Sequence, residues 1–419
     1  MTGTPAEPGS LSRRRFLTGG AAAVGGVAAA GAGFAVGRAS APVPPPPPPP
    51  PADTVGRAVE PFHGTHQAGV ATGVQAVGVF VALDLAPTTG RDALVRLMRL
   101  WTTDAERLTQ GRPTLADTQP ELAAAPARLT MTVGYGPGVF DAAGLADQRP
   151  DWLAPLPPFE IDRLEDRWSG GDLLLHLGGD DLLAVAHAQR MALRSAAAFA
   201  SVRWVQSGFV RGAGVAAPDT TPRNLMGQVD GTANPPPEDF DGVVWVGPGS
   251  GAPAWLEGGT GMVLRRIRML LDTWDALDRG QQEQVIGRRL DTGAPLTGTA
   301  EHDPPDFEAV GPDGLLVIPE FAHIRLANAT STAPDAPTGT RILRRPFSYD
   351  DGVLPDGSPD VGLLFAAYAA DIGAQFVPIQ QRLAEQDLLN TWTTPVGSAV
   401  FALPPGTQPG GWIGEPLLG

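Results

Sequence analysis

Apolar side chains alternate with small or polar ones through GVQAVGVFVALDL (residues 73–85), a period of two that predicts a β-strand. Over residues 91–111 the period changes. Leu94, Leu97, Met98, Trp101, Ala105 and Leu108 fall on one stripe, which predicts an amphipathic helix. The spacing predicts further strands over 127–136 and 172–180. A helix of good helix formers follows over 181–200, then a strand over 201–210. A second pass has the same character. Strands are predicted at GVVWVG (242–247) and GMVLRRIRML (261–270), and a helix over 273–289. Strands follow at 341–350 and 361–371, then a helix over 374–387 and a last strand over 397–406.

The order strand, helix, strand, strand, helix, strand is the ferredoxin-like arrangement. It is followed by a second half of similar architecture, so the pattern predicts an α+β fold of two ferredoxin-like domains, each an antiparallel sheet with helices. A Gly-, Pro- and Thr-rich stretch (211–224) marks the hinge, giving domains over 57–222 and 223–419. The first residues follow another logic. SRRRFLTGG (12–20) precedes an Ala- and Gly-rich apolar run to Val36, which resembles a twin-arginine export signal over 1–41. A proline-rich linker occupies 42–56, and its run of prolines (44–51) is a stiff spacer. The small residues of GRASAP offer a cleavage site, and Pro42 directly after Ala41 leaves a retained membrane tether as the alternative. The twin-arginine route carries proteins already folded, often around a cofactor, and places this one outside the cytoplasm.

Composition narrows the chemistry. All 30 basic residues are Arg, so no Lys-based Schiff base or phosphate loop is available. There is no Cys, hence no disulfide, thiolate ligand or Cys nucleophile. A net charge of −15 argues against nucleic acid or an anionic membrane as partner. Any metal or haem site must therefore draw on His, carboxylates, Met or Tyr. Of six His, the pair His63 and His66 reads as structural, and His176 and His187 as satisfied helix or strand residues. His302 lies in a polar loop. His323 stands apart, because Arg325, Asn328 and a later cluster of arginines suit an imidazole beside an anionic ligand. Asp230 is equally conspicuous: in NLMGQVDGTANP (224–235) a lone carboxylate sits among glycines and small residues. A tight turn explains that composition, and so does a flat ligand lying against bare backbone.

Six stretches together resemble the dye-decolourising peroxidase family, in its exported bacterial branch that includes deferrochelatases. They are FHGTHQAG (62–69), GQVDG (227–231), AHIRLAN (322–328), ILRRPFSY (342–349), GLLFAAY (362–368) and PVGSAVFALPPG (395–406). The resemblance implies two ferredoxin-like domains with one haem b per chain, held in the second. His323 matches the axial ligand of the iron, and Asp387 its acidic partner, with Glu385 as the alternative. Asp230 matches the acid that moves a proton between the peroxide oxygens. Arg344 matches the arginine that stabilises charge on the breaking O–O bond, chosen from Arg341, Arg344 and Arg345 by its register to FSY. Gly231, Thr232, Ala233, Asn328, Ala329, Thr330 and Arg344 match haem contacts, and Leu363 and Phe365 match apolar positions lining the peroxide pocket. The implied partners are hydrogen peroxide, a bulky organic electron donor and the twin-arginine translocase, with no nucleic acid and room for a homo-oligomer. Two rivals stand beside the peroxidase: iron release from haem, and haem binding without turnover. The chain departs from the family pattern twice. Ala329-Thr330 replaces Pro-Arg, removing a cation for a propionate, and Pro346 replaces a Gly in the arginine strand.

Overall fold

The computed structural model describes residues 55–217, 220–328 and 340–419. The stretches expected to be an export signal and, almost entirely, the linker lie outside them. The described residues form one compact unit.

The alternating segments become strands β1 (Val77–Leu85), β2 (Thr130–Tyr135), β3 (Leu173–Gly179) and β4 (Ala200–Phe209). Helices α1 (Arg91–Leu108) and α2 (Leu182–Ala196) lie between them. All six stripe residues of α1 are buried, with Leu94, Leu97, Met98 and Trp101 at 0 % exposure. Each large one contributes about 1.5–3 kcal/mol. Asp181 starts α2 by accepting a hydrogen bond from the Ala184 amide.

The second half supplies β5 (Thr260–Met269), α3 (Arg279–Ile286), α4 (His323–Ala327), β6 (Leu343–Arg344), β7 (Phe347–Val353), β8 (Pro359–Ala369), α5 (Val377–Gln386) and β9 (Thr393–Leu403). Every ladder is antiparallel. The first half has the order β2-β3-β1-β4 and the second β9-β5-β8-β7, the same sequence of positions in each. Pairs β2–β9 and β4–β7 join the halves, and β5–β8 closes a ring of eight strands, with β6 as a short addition on β8. The fold is thus mixed α and β, and its antiparallel strands form one shared closed sheet. Phe80, Leu174, Leu264, Leu364 and Phe401, from five strands around the ring, meet in one buried cluster that fills its interior.

Three sequence expectations change. The apolar run 242–247 is no strand: the amides of Val244 and Trp245 return to the Phe240 carbonyl, and Val246 pairs with Gly258 and Gly259. Its side chains are buried as a loop anchor, with Trp245 stacked 3.8 Å from the His66 ring. The helix expected over 273–289 is two pieces, because Asp278 forms a capping box with Gln281 and starts α3 afresh. The strand expected over 341–350 is interrupted at Arg345-Pro346, where Pro346 has no amide hydrogen to give.

His63 and His66 bond backbone as expected, through Nδ1 to Thr407 O (3.2 Å) and Gly258 O (2.7 Å). His187 is buried against Asp117 at 2.8 Å. His176 lies inside the ring, stacked 4.3 Å from Phe80, with Nε2 unpartnered. Burial first, then the Arg345 charge, push its pKa down to about 3. A depressed folded-state value means that His176 stabilises fully above its unfolded value near 6.5 and costs about 1.4 kcal/mol per pH unit as pH falls toward 3. His176→Phe keeps the stack at the loss of the long Tyr368 contact (3.5 Å). Chemical denaturation between pH 6.5 and 4 is therefore expected to show a shallower fall in stability for the variant than for wild type. Parallel curves would refute the assignment.

Candidate active site

The candidate site is built on β8 and the helices packed over it. Leu363 and Ile267 are register neighbours on β8 and β5, and they pack with Met226, Trp274, Val285, Ile286 and Ile324. Gly287 ends α3 in the left-handed region (φ +90°). A side chain there would meet Ile324 Cγ1 at 2.7 Å, so glycine permits α3 to lie against α4.

His323 opens α4, a single short turn held from outside. Arg325 donates to the carbonyls of Phe307 and Ile318, Arg382 Nε donates to Leu326 O (3.0 Å), and the Leu388 amide donates to Phe321 O. The last bond joins the loop before α4 to the residue after Asp387. His323 Nδ1 lies 2.6 Å from Asp387 Oδ2, and Asp387 Oδ1 accepts from the Leu389 amide at 2.9 Å. The Asp387 side chain is 3 % exposed, whereas that of His323 is 29 % exposed. Burial disfavours the charged imidazole, but the Asp387 carboxylate outweighs it and holds the pKa above the ordinary value. Smaller charge effects of Arg344, which lowers it, and Asp230, which raises it, oppose one another. Glu385 instead accepts from Gln381 at the surface, which leaves Asp387 as the carboxylate on His323.

Asp230 hangs from a loop tied at both ends. Its amide donates to Pro222 O (2.8 Å), and the Asn234 amide closes a turn on Gly231 O (2.9 Å). Gly231 has φ +138°, a conformation that favours glycine. Asp230 Oδ1 lies 3.4 Å from Arg344 Nη1, and Asn224 Nδ2 donates to Oδ2 at 3.3 Å. The other two arginines of the motif go elsewhere: Arg341 pairs with Asp239, and Arg345 donates to Gln75. Thr232 donates to Glu301 Oε1 (2.9 Å), which also accepts from Thr221. Burial would raise the Glu301 pKa, but these two hydroxyl donors and the charges of His302 and Arg288 hold it below the usual carboxylate range. Arg288 donates to the carbonyls of Gly293 and Glu301. Burial first, then the neighbouring Arg344 charge, lower its pKa.

The structure thus pairs His323 with Asp387 and Asp230 with Arg344. Leu363 is buried beneath them and Phe365 is half-buried, 6.3 Å from the Phe376 ring. Ala233 is exposed, and the Asn328 amide closes α4 on Ile324 O. Ala329 and Thr330 lie outside the described residues. Sequence reasoning missed Asn224, Asn234, Arg288 and Glu301. The two asparagines stand inside the conspicuous 224–235 stretch, where their amide side chains next to turn residues were the available signal.

Comparison with known proteins places the chain in a family. The family model described as "Dyp-type peroxidase, N-terminal" matches residues 67–210, and "Dyp-type peroxidase, C-terminal" matches residues 221–408. The chain is 42 % identical to a dye-decolorizing peroxidase of Thermobifida fusca, covering all of both chains. It is 37 % identical to a deferrochelatase of Yersinia pestis, over 83 % of this chain and 82 % of that one. A solved structure titled an oxyferrous complex, from Streptomyces lividans, superposes with a TM-score of 0.83 at 43 % identity, covering 88 % of this chain and 100 % of the other. By both halves of its sequence and by its fold, this chain belongs to the Dyp-type peroxidase family.

Proposed function

We propose that this peroxidase holds one haem b between α4 and the 230–234 loop, with His323 Nε2 as ligand to the iron. The residues fit the group. His323 Nδ1 is committed to Asp387, which fixes the tautomer and leaves Nε2 as a donor to metal. Gly231 removes the side chain that would stand out from the loop, where only the Thr221 methyl lies within 3.4 Å of that position. The backbone of Gly231, Thr232 and Ala233 then serves as one wall, and Asn328 as a contact at the end of α4. We read the two halves, 57–222 and 223–419, as ferredoxin-like domains with haem in the second.

Bound haem supplies the redox chemistry by which one peroxide oxidises donor molecules. The protein groups do the rest. Asp230 would take a proton from one peroxide oxygen and return it to the departing one. The Arg344 guanidinium stabilises negative charge as the O–O bond breaks. Leu363 and Phe365 keep water from that side. Asp387 holds the His323 ring and raises its basicity. Donors are bulky organic molecules such as dyes and phenolics, and the twin-arginine translocase delivers the folded protein outside the cytoplasm.

The observations that carry this reading are the His323–Asp387 couple at 2.6 Å and the Asp230–Arg344 pair at 3.4 Å. Titrating the apoprotein with haemin should give one equivalent bound, a Soret band lost in His323→Ala, and peroxide-dependent dye oxidation. Asp387→Asn should weaken haem retention about 10- to 100-fold, measured as transfer to a haem acceptor. Unchanged retention would remove Asp387 from the account. The deferrochelatase relative motivates one alternative, iron release with the porphyrin intact. Metal-free porphyrin fluorescence appearing during turnover would favour it.

A further inference from the structure

Arg344 ends β6, a strand of only two residues on the edge of β8, and Arg345-Pro346 interrupts the chain before β7 resumes. One edge of the Arg344 backbone pairs with Ala367. The other would be a bare strand edge, and Asn234 takes it. Asn234 Nδ2 donates to Arg344 O at 2.9 Å, and the Arg344 amide donates to Asn234 Oδ1 at 3.0 Å. A single side chain thus satisfies both backbone groups, as a neighbouring strand would.

These bonds cross 110 residues of sequence and join the loop of Asp230 to the strand of Arg344. Asn234 is four residues from Asp230, and its own amide is bonded to Gly231 O. The loop between them is therefore closed at both ends. The Asp230–Arg344 separation is 3.4 Å, longer than the roughly 2.7–2.9 Å of a closed charge-assisted pair. Both side chains are part-exposed (14 % and 21 %). Asn224 steadies only the carboxylate.

We propose that Asn234 is a positioning residue for the peroxide reaction, a rivet that keeps Arg344 within reach of Asp230 but short of a closed ion pair. The proposal rests on the peroxidase reading above. With the rivet removed, Arg344 gains freedom to fold onto Asp230. A tight pair would occupy the space peroxide needs and bind up the carboxylate that must accept a proton. Asn234 touches neither reactant, so its effect runs entirely through Arg344.

The test compares haem-loaded wild type, Asn234→Ala, Arg344→Ala and the double variant. Each is matched for Soret absorbance, and the second-order rate of the spectral change on mixing with hydrogen peroxide is measured. Asn234→Ala is expected to slow that rate about 10-fold or more with the KM for the dye unchanged. In the Arg344→Ala background the same substitution should cost less than about 2-fold, because residues acting as one unit are not additive. Asn234→Asp keeps the acceptor for the Arg344 amide and should fall between wild type and Asn234→Ala. A wild-type rate in Asn234→Ala overturns the proposal. So does an equal loss in both backgrounds, which marks a merely structural residue. A wild type that itself fails to react takes down the peroxidase reading, and this proposal with it.

Discussion

Asp230→Ala is expected to slow the reaction of the haem-loaded protein with hydrogen peroxide by about 10²- to 10⁴-fold, the range for losing a positioned proton-transfer group. The reasoning is geometric. Asp230 stands on a loop whose ends are fixed at Pro222 and Asn234, and Asn224 orients its second oxygen. No other described carboxylate shares its position: Glu301 is occupied by two threonine hydroxyls, and Asp387 lies on the far nitrogen of His323. The variant has no substitute on the loop, so the loss should be deep and should leave haem stoichiometry intact. Asp230→Asn should resemble the alanine variant, since an amide cannot carry the proton. A rate within 3-fold of wild type in both would remove Asp230 from the mechanism.

Arg344→Ala should cost about 10²- to 10³-fold in the same measurement, by analogy with removing one preorganised charge-stabilising donor. Arg344→Lys should recover little of it. The guanidinium presents several donors in a fixed plane, whereas an ammonium is a compact, strongly hydrated point charge. The Arg344 backbone is held between Ala367 and Asn234, so the register of the side chain survives its replacement. The charge of Arg288 is felt at Arg344, but its Nη1 is spent on the carbonyls of Gly293 and Glu301. If lysine restored the full rate, the requirement would be charge alone, and the planar fork would be irrelevant.

Much of this was legible beforehand, for identifiable reasons. The stripe of α1 and the alternation of β1 to β4 follow from the need to bury one face, and those elements lie within a few residues of their expected bounds. The run 242–247 was misread because an apolar segment reports burial and not conformation. Trp245 and Val246 are indeed buried, but in a loop. The start of α3 was present in the Asp278-x-x-Gln281 capping signature and was overridden by the helical spacing around it. Ring closure was not legible, because nothing local in β5 specifies β8 and β9 as neighbours.

The site divides the same way. His323 and its neighbouring arginines were visible in the residues, and the family motifs singled out Asp230 and Arg344. The choice between Asp387 and Glu385 needed coordinates, since the two differ by half a helical turn and α5 ends at Gln386. Asn234 was hidden more deeply. Its meaning depends on a strand edge 110 residues away, beside Arg344.

The account's central claim is that Asp230 and Arg344 act as one device on peroxide at a haem held by His323. The most direct measurement is rapid mixing of hydrogen peroxide with haem-loaded wild type and with the Asp230→Ala/Arg344→Ala double variant, following the Soret band and then dye oxidation. The account predicts a fast wild-type spectral change, first order in peroxide, followed by dye turnover, with the double variant little slower than the worse single one. A double variant that matches wild type, or a wild type that only bleaches slowly and releases its iron, would contradict it.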